Sequence, residues 1–229
     1  LLNGDTFERL DRFKTRFALH GGPKYSPDGR FVFFASRDGW ISKYDIYNRK
    51  TVSEVRAAIN TRNIAISNDG QYLIVGNYLP NNVVILNTTD LSPLKVIDAK
   101  DSDGNSSRVS AVYNAPPRFS FIVALKDVKE VWEIPYSDEG GVEVYKGWAH
   151  DYRNEAKAEG WKLDLSKKSE RFPIRRIKTD DYLNDFFFDP DYINLIGASR
   201  DSHTGQVNKP RYEEENCHNR YAGYASFRL

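Results

Sequence analysis

The sequence predicts an all-β fold, a β-propeller of four-stranded blades, from a repeat, a turn pattern and a strand rhythm. The repeat is Tyr25-Ser26-Pro27-Asp28-Gly29-Arg30-Phe31-Val32-Phe33, which returns after 41 residues as Ile66-Ser67-Asn68-Asp69-Gly70-Gln71-Tyr72-Leu73-Ile74. Each copy holds an Asp-Gly pair, the chemistry of a tight turn: the carboxylate accepts from nearby backbone N–H groups and glycine takes a positive φ without cost. Four short strand-like segments follow one another in roughly 40 residues, which is the length and rhythm of one propeller blade.

In the first unit the segments are Lys24–Ser26, Arg30–Ser36, Trp40–Tyr47 and Thr51–Ala57, separated by Asp28-Gly29, Asp38-Gly39 and Asn48-Arg49-Lys50. In the second they are Asn63–Ser67, Gln71–Asn77, Val83–Asn87 and Leu94–Ala99. A looser third unit runs over Val109–Tyr136, with Ala115-Pro116-Pro117-Arg118 replacing the Asp-Gly turn and Phe121–Leu125 as its second strand. A fourth opens at Phe186-Phe187-Phe188-Asp189-Pro190-Asp191-Tyr192, and Leu195–Ala198 stands where its second strand belongs. Residues 137–178, polar and rich in Lys, Glu and Trp, read as an insertion between blades, with a helical stretch at Asn154–Ala158. The expected organisation is a partial propeller over residues 15–207 and an unassigned tail over 208–229. About four blades of such uneven repeats suggest part of a larger, unclosed ring.

Composition narrows the classes. A chain that is 40% hydrophobic and 14% aromatic can fill a core, so disorder throughout is excluded. A net charge of +1 supplies no global field for nucleic acid or an anionic membrane. The single cysteine, Cys217, makes no internal disulfide, and no Cys-x-x-Cys-His attaches a c-type heme. Apolar runs such as Phe31–Ala35 fall far short of the roughly 18–20 residues of a membrane helix. The chain lacks Met and starts Leu1-Leu2, so it reads as a piece of a longer protein. A phosphate loop, a nucleophile elbow, a zinc-binding His-Glu-x-x-His and a calcium loop are all missing.

Blades are related by rotation, so the residues that open the innermost strands converge on one end of the central channel. Counted back from each turn, these are His20, Arg62, Arg108 and Asn184. An imidazole suits iron and two guanidiniums suit carboxylates, so the set matches a ligand that carries both, with heme the obvious candidate. A strict repeat shift puts Arg62 over Gly21 rather than His20, and one residue along a strand reverses the face. Gly21-Gly22 would have to absorb that slip. On pattern alone His20 also fits a hydrogen-bonded turn residue, and Arg62 and Arg108 fit solvated or ion-paired side chains. Tyr78, ending a strand in Gly76-Asn77-Tyr78-Leu79-Pro80, is a candidate to project into a pocket, and His150, in Trp148-Ala149-His150-Asp151-Tyr152-Arg153, is a second candidate for catalysis.

The run from His20-Gly21-Gly22-Pro23-Lys24-Tyr25-Ser26-Pro27-Asp28-Gly29 to Ser36-Arg37-Asp38-Gly39-Trp40 resembles the start of the heme d1 propeller of the cytochrome cd1 nitrite reductase superfamily. Asn60-Thr61-Arg62-Asn63, Gly76-Asn77-Tyr78-Leu79-Pro80, Ser107-Arg108-Val109 and Asp180-Asp181-Tyr182-Leu183-Asn184-Asp185 extend the resemblance. Ala115-Pro116-Pro117-Arg118 and His150-Asp151-Tyr152-Arg153 look more like the paralogue that dehydrogenates dihydro-heme d1 than like nitrite reductase itself. The resemblance implies an eight-bladed ring, of which this chain is about half, and a cofactor that is heme d1 or dihydro-heme d1. It implies His20 as the iron ligand, Arg62 and Arg108 as the arginines that hold the heme's carboxylates, and Asn184 as a further cofactor-binding residue. His150 and Tyr78 are the candidate bases for dehydrogenation.

The implied function is a heme d1-binding oxidoreductase of heme d1 biosynthesis and denitrification, in the periplasm, with a c-type heme domain or cytochrome outside this chain as electron partner. Nitrite reductase is a further possible partner. Nitrite reduction by this chain is unsupported, because Asn184 stands where the reductases carry a His. The alternatives are a non-catalytic heme d1 carrier and a propeller used as a protein-interaction platform.

Overall fold

The computed structural model describes residues 1–137, 171–190, 192, 194–208 and 227–228. They form four antiparallel four-stranded sheets, each paired in sequence order as one blade. Blade 1 comprises β1 (Leu19–Tyr25), β2 (Phe31–Ser36), β3 (Trp40–Asp45) and β4 (Lys50–Arg56). Blade 2 comprises β5 (Asn60–Ile66), β6 (Tyr72–Leu79), β7 (Asn82–Asn87) and β8 (Pro93–Asp98). Blade 3 comprises β9 (Val109–Ala115), β10 (Ser120–Leu125), β11 (Glu130–Pro135) and β12 (Arg175–Lys178). Blade 4 comprises β13 (Phe187–Phe188), β14 (Leu195–Ala198), β15 (Thr204–Asn208) and β16 (Phe227–Arg228). The ring is not closed.

The repeated turn works as its chemistry predicts. Ser26 Oγ donates to Asp28 Oδ1 at 2.5 Å, Arg30 N donates to the same oxygen at 3.1 Å, and Gly29 takes φ 70°. Blade 2 repeats this with Ser67 Oγ to Asp69 Oδ1 at 2.5 Å, Gln71 N to Asp69 Oδ1 at 3.0 Å and Gly70 at φ 72°. The third blade turns instead through a 3-10 segment, Pro116–Arg118, with prolines at its start, where no N–H is needed.

Strand alternation sends successive side chains to opposite faces, and both faces of a middle blade are covered. Leu73 and Val75 of β6 face Phe33, Ala35 and Ile41 of blade 1, with Ile64 and Val84 in the same cluster. Ile74, between them, joins Val109, Val112, Phe121 and Trp132 of blade 3. Ile122, Ala124 and Val131 then pack against Leu183, Phe186 and Leu195 of blade 4. This is why β6 and β10 are apolar without alternation.

Gly39 shows how tightly the hairpins are seated. It sits at φ 88°, and a Cβ there would run into the Ala58 carbonyl oxygen. Gly39→Ala is therefore expected to destabilise by more than about 2 kcal/mol, read as a lower urea midpoint with an unchanged slope.

Two boundaries differ from the sequence expectation. The insertion lies within blade 3, between β11 and β12: Arg175–Lys178 pairs with β11 from Glu130↔Lys178 to Glu133↔Arg175 and closes that sheet. The tail supplies β16, paired at Thr204↔Arg228 and Gly205↔Phe227. Strand pairing is a long-range property, and a long insertion removes the fixed spacing by which a fourth strand is found. Residues ahead of 15 also pack: Phe13 stacks on Tyr44 with centroids 4.1 Å apart, and the Tyr44 hydroxyl donates to Asp11.

Candidate functional site

In an antiparallel hairpin the start of the inner strand lies beside the end of the second, so one rim of the blades carries both sets of residues. His20 is the second residue of β1 and pairs with Ala35. The ladder then skips to Lys24↔Phe33, and Gly21 and Gly22 take φ 80° and 68°, a bulge that absorbs the register slip. On β5 the ladder passes from Thr61↔Asn77 to Asn63↔Gly76, leaving Arg62 as the bulged residue. Two bulges thus bring His20 and Arg62 together across the blade boundary. A Cβ on Gly21 would come within 2.5 Å of Asn63 Oδ1, so glycine is also what lets the strands approach.

The contacts define the His20 tautomer. Nδ1 lies 2.8 Å from the Arg62 carbonyl oxygen, which can only accept, so Nδ1 carries the proton. Nε2 is bonded by Arg62 Nη1, which can only donate, so the Nε2 lone pair points at the guanidinium. Burial pushes the imidazole pKa down, the charges of Arg62 and Arg37 push the same way, and the bond to the Arg62 carbonyl opposes them. A neutral ring fixed through Nδ1 with its lone pair on Nε2 is the form in which histidine binds metals.

Tyr78, next to last on β6, is the hub of the adjoining cluster. The Arg62 and Arg108 guanidinium carbons lie 5.5 and 5.4 Å from its ring centroid, and Lys126 Nζ lies 5.3 Å away. Lys126, immediately after β10, also donates to the Tyr78 hydroxyl at 3.2 Å. Arg108, just before β9, is engaged by Asp127 across the hairpin: Nη2 donates at 2.6 Å, Nε at 2.9 Å and the backbone N at 3.0 Å. That pairing raises the Arg108 pKa, and the Arg108 side chain holds the Asp127 carboxyl below the usual carboxylate range. Burial raises the Asp185 pKa, against the opposing charges of Arg62 and Lys126.

Asn184 precedes β13. Its carbonyl accepts from Ser110 Oγ at 2.5 Å, while its buried side-chain Oδ1 has no hydrogen-bond partner among the described residues. Of the residues singled out from sequence, His20, Arg62, Arg108 and Tyr78 are therefore joined by direct contacts, and Asn184 is tied to blade 3 through its backbone. His150 and the Asn154–Ala158 stretch lie outside the described residues. Lys126, Asp127 and Asp185 escaped the sequence reading. The first two follow a blade's second strand and share the rim with the residue that precedes its first, a relation that the β9–β10 pairing creates. What results is a cationic rim around an aromatic ring beside a neutral imidazole, suited to a flat anionic ligand with a metal.

Comparison with known proteins places the chain. Residues 1–157 match the family described as the cytochrome D1 heme domain. The chain is 50% identical over 207 residues to a dihydro-heme d1 dehydrogenase of Pseudomonas aeruginosa, a match covering 90% of this chain and 36% of that protein. It is 28% identical over 148 residues to a nitrite reductase of Stutzerimonas stutzeri, covering 62% of this chain and 25% of that one. Among solved structures, dihydro-heme d1 dehydrogenase NirN in complex with DHE superposes with a TM-score of 0.76 at 50% identity, covering 91% of this chain and 38% of that chain. The chain thus spans about a third of the length of these relatives. With its unclosed ring of four-stranded blades and its histidine and arginines at one rim, the chain belongs to the cytochrome d1 heme domain family.

Proposed function

We propose that this chain is the part of a heme d1-type propeller that holds the iron of dihydro-heme d1 or heme d1, within an oxidoreductase that dehydrogenates the dihydro form. The observation that carries the reading is His20, a neutral imidazole with its lone pair on Nε2 and cations beside it. The residues present fit such a group. His20 would offer a ring nitrogen to the iron, Arg62 and Lys126 would offer charge for acidic side groups, and the buried Asn184 Oδ1, without a partner among the described residues, would offer an acceptor. The 50% identity to a dihydro-heme d1 dehydrogenase, against 28% to a nitrite reductase, supports dehydrogenation over nitrite reduction.

When bound, the tetrapyrrole supplies the redox chemistry, losing two electrons and two protons as a saturated side chain becomes unsaturated. The protein's part is to hold and orient it. The Arg62 carbonyl fixes the His20 ring through Nδ1–H, so that Nε2 faces the ligand. The Arg62 side chain, which bonds Nε2 here, would be available to pair with a carboxylate of the bound group. Tyr78 and His150 are the candidate proton acceptors, and the Lys126 ammonium holds the Tyr78 hydroxyl in place through a hydrogen bond. Electrons leave to a c-type heme beyond these residues, and the compartment is the periplasm.

The test uses the protein at its full encoded length with dihydro-heme d1 and an oxidised c-type cytochrome. The expected result is conversion of the dihydro-heme d1 spectrum to that of heme d1, with matching cytochrome reduction. Binding without conversion would identify a carrier, and absence of binding would overturn the reading.

A further inference from the structure

The charges on the rim are unevenly compensated. Arg108 has Asp127 in a two-pronged pair, with Nη2 at 2.6 Å and Nε at 2.9 Å. Arg62 is turned onto His20, a neutral ring. Lys126 Nζ has only the phenolic oxygen of Tyr78, at 3.2 Å, as a hydrogen-bond partner among the described residues, and it takes part in no ion pair there. Asp185 lies near Arg62 and Lys126, and burial raises its pKa against their charges, but among the described residues it makes no ion pair with either.

An anionic group entering this rim therefore meets two kinds of cation. To take Arg108 it must displace a carboxylate that already holds three hydrogen bonds to that residue. To take Lys126 it displaces only a neutral hydroxyl. A charge-assisted bond gained for a neutral one lost is a net gain, whereas exchanging one carboxylate for another is close to neutral. We propose that Lys126 is a carboxylate-binding residue of the site, working with Arg62, and that Arg108 is instead held by Asp127 as a structural brace at the start of β9. Tyr78 fixes the distance between the two binding cations, since both lie against its ring. This assignment rests on the tetrapyrrole reading of the site and names which side chains recognise its acidic groups.

The experiment titrates the full-length protein with dihydro-heme d1 and with its carboxyl-methylated ester, following absorbance, in wild type, Lys126→Met, Lys126→Arg and His20→Ala. Wild type should prefer the free acid. Lys126→Met should lower that preference about tenfold or more, the equivalent of one charge-assisted bond, and Lys126→Arg should restore most of it. Circular dichroism melting checks that Lys126→Met folds as wild type does. His20→Ala should weaken acid and ester alike, which tests the tetrapyrrole reading separately. An acid-to-ester preference in Lys126→Met equal to that of wild type would overturn the assignment and leave the rest of the site standing. Failure of the wild-type protein to bind either form would overturn both.

Discussion

Glu133→Ala should lower the stability of the protein by about 3–5 kcal/mol, the cost of removing one partner from a buried ion pair. Glu133 on β11 is fully buried and is shared by two arginines from different places in the chain. Arg118, from the Pro116–Arg118 turn, donates through Nε at 2.9 Å and Nη2 at 2.7 Å. Arg175, from β12 on the far side of the insertion, donates through Nη1 at 2.7 Å. The side chains of Arg118 and Arg175 are only 1% and 8% exposed. Without the carboxylate, both guanidiniums lose their bonds to Glu133 in a low-dielectric interior. Urea unfolding should show the loss, and Glu133→Gln should lie between alanine and wild type because its amide still accepts a hydrogen bond. A loss below about 1 kcal/mol would mean that the triad is solvated in the folded protein.

His20→Ala should weaken dihydro-heme d1 binding by more than about 100-fold, since even partners one step removed from a metal ligand change affinity by 10–100-fold. Folding should be little affected. His20 is partly exposed near the start of β1, and its two ring nitrogens both bond Arg62. Alanine leaves the His20↔Ala35 ladder position intact. An absorption titration beside a thermal melt separates the two effects. A variant that binds as wild type does would remove His20 from the site, and one that fails to fold would show the ring to be a packing element.

The first two blades were legible because their turns are written twice in the same chemistry, and Asp28-Gly29 and Asp69-Gly70 fix the hairpins that fix the strands. The cluster that forms the candidate site was legible where it lies near the start of an inner strand, as at His20 and Arg62, which the structure brings into contact. The register slip between them was visible too, because Gly21-Gly22 is the local means of absorbing it. Legibility fails where a feature depends on distant pairing. β12 and β16 follow long stretches without strand pattern, so period counting could not reach them. Lys126-Asp127 looks like any polar hairpin turn after an apolar strand. Its roles toward Tyr78 and Arg108 exist only once β9 and β10 are paired, with Leu125 opposite Val109. Arg108 looked equally fit for a cofactor carboxylate or an ion pair, and in the structure it makes the ion pair with Asp127.

Nitrogen hyperfine spectroscopy of the ferric dihydro-heme d1 complex addresses the iron–histidine bond most directly. The full-length protein labelled with 15N at histidine should show one strongly coupled imidazole nitrogen, and His20→Ala should lose that coupling while the ring nitrogens of the tetrapyrrole stay as they were. The same histidine coupling in His20→Ala and wild type would place the iron on another histidine and contradict the site described at this rim.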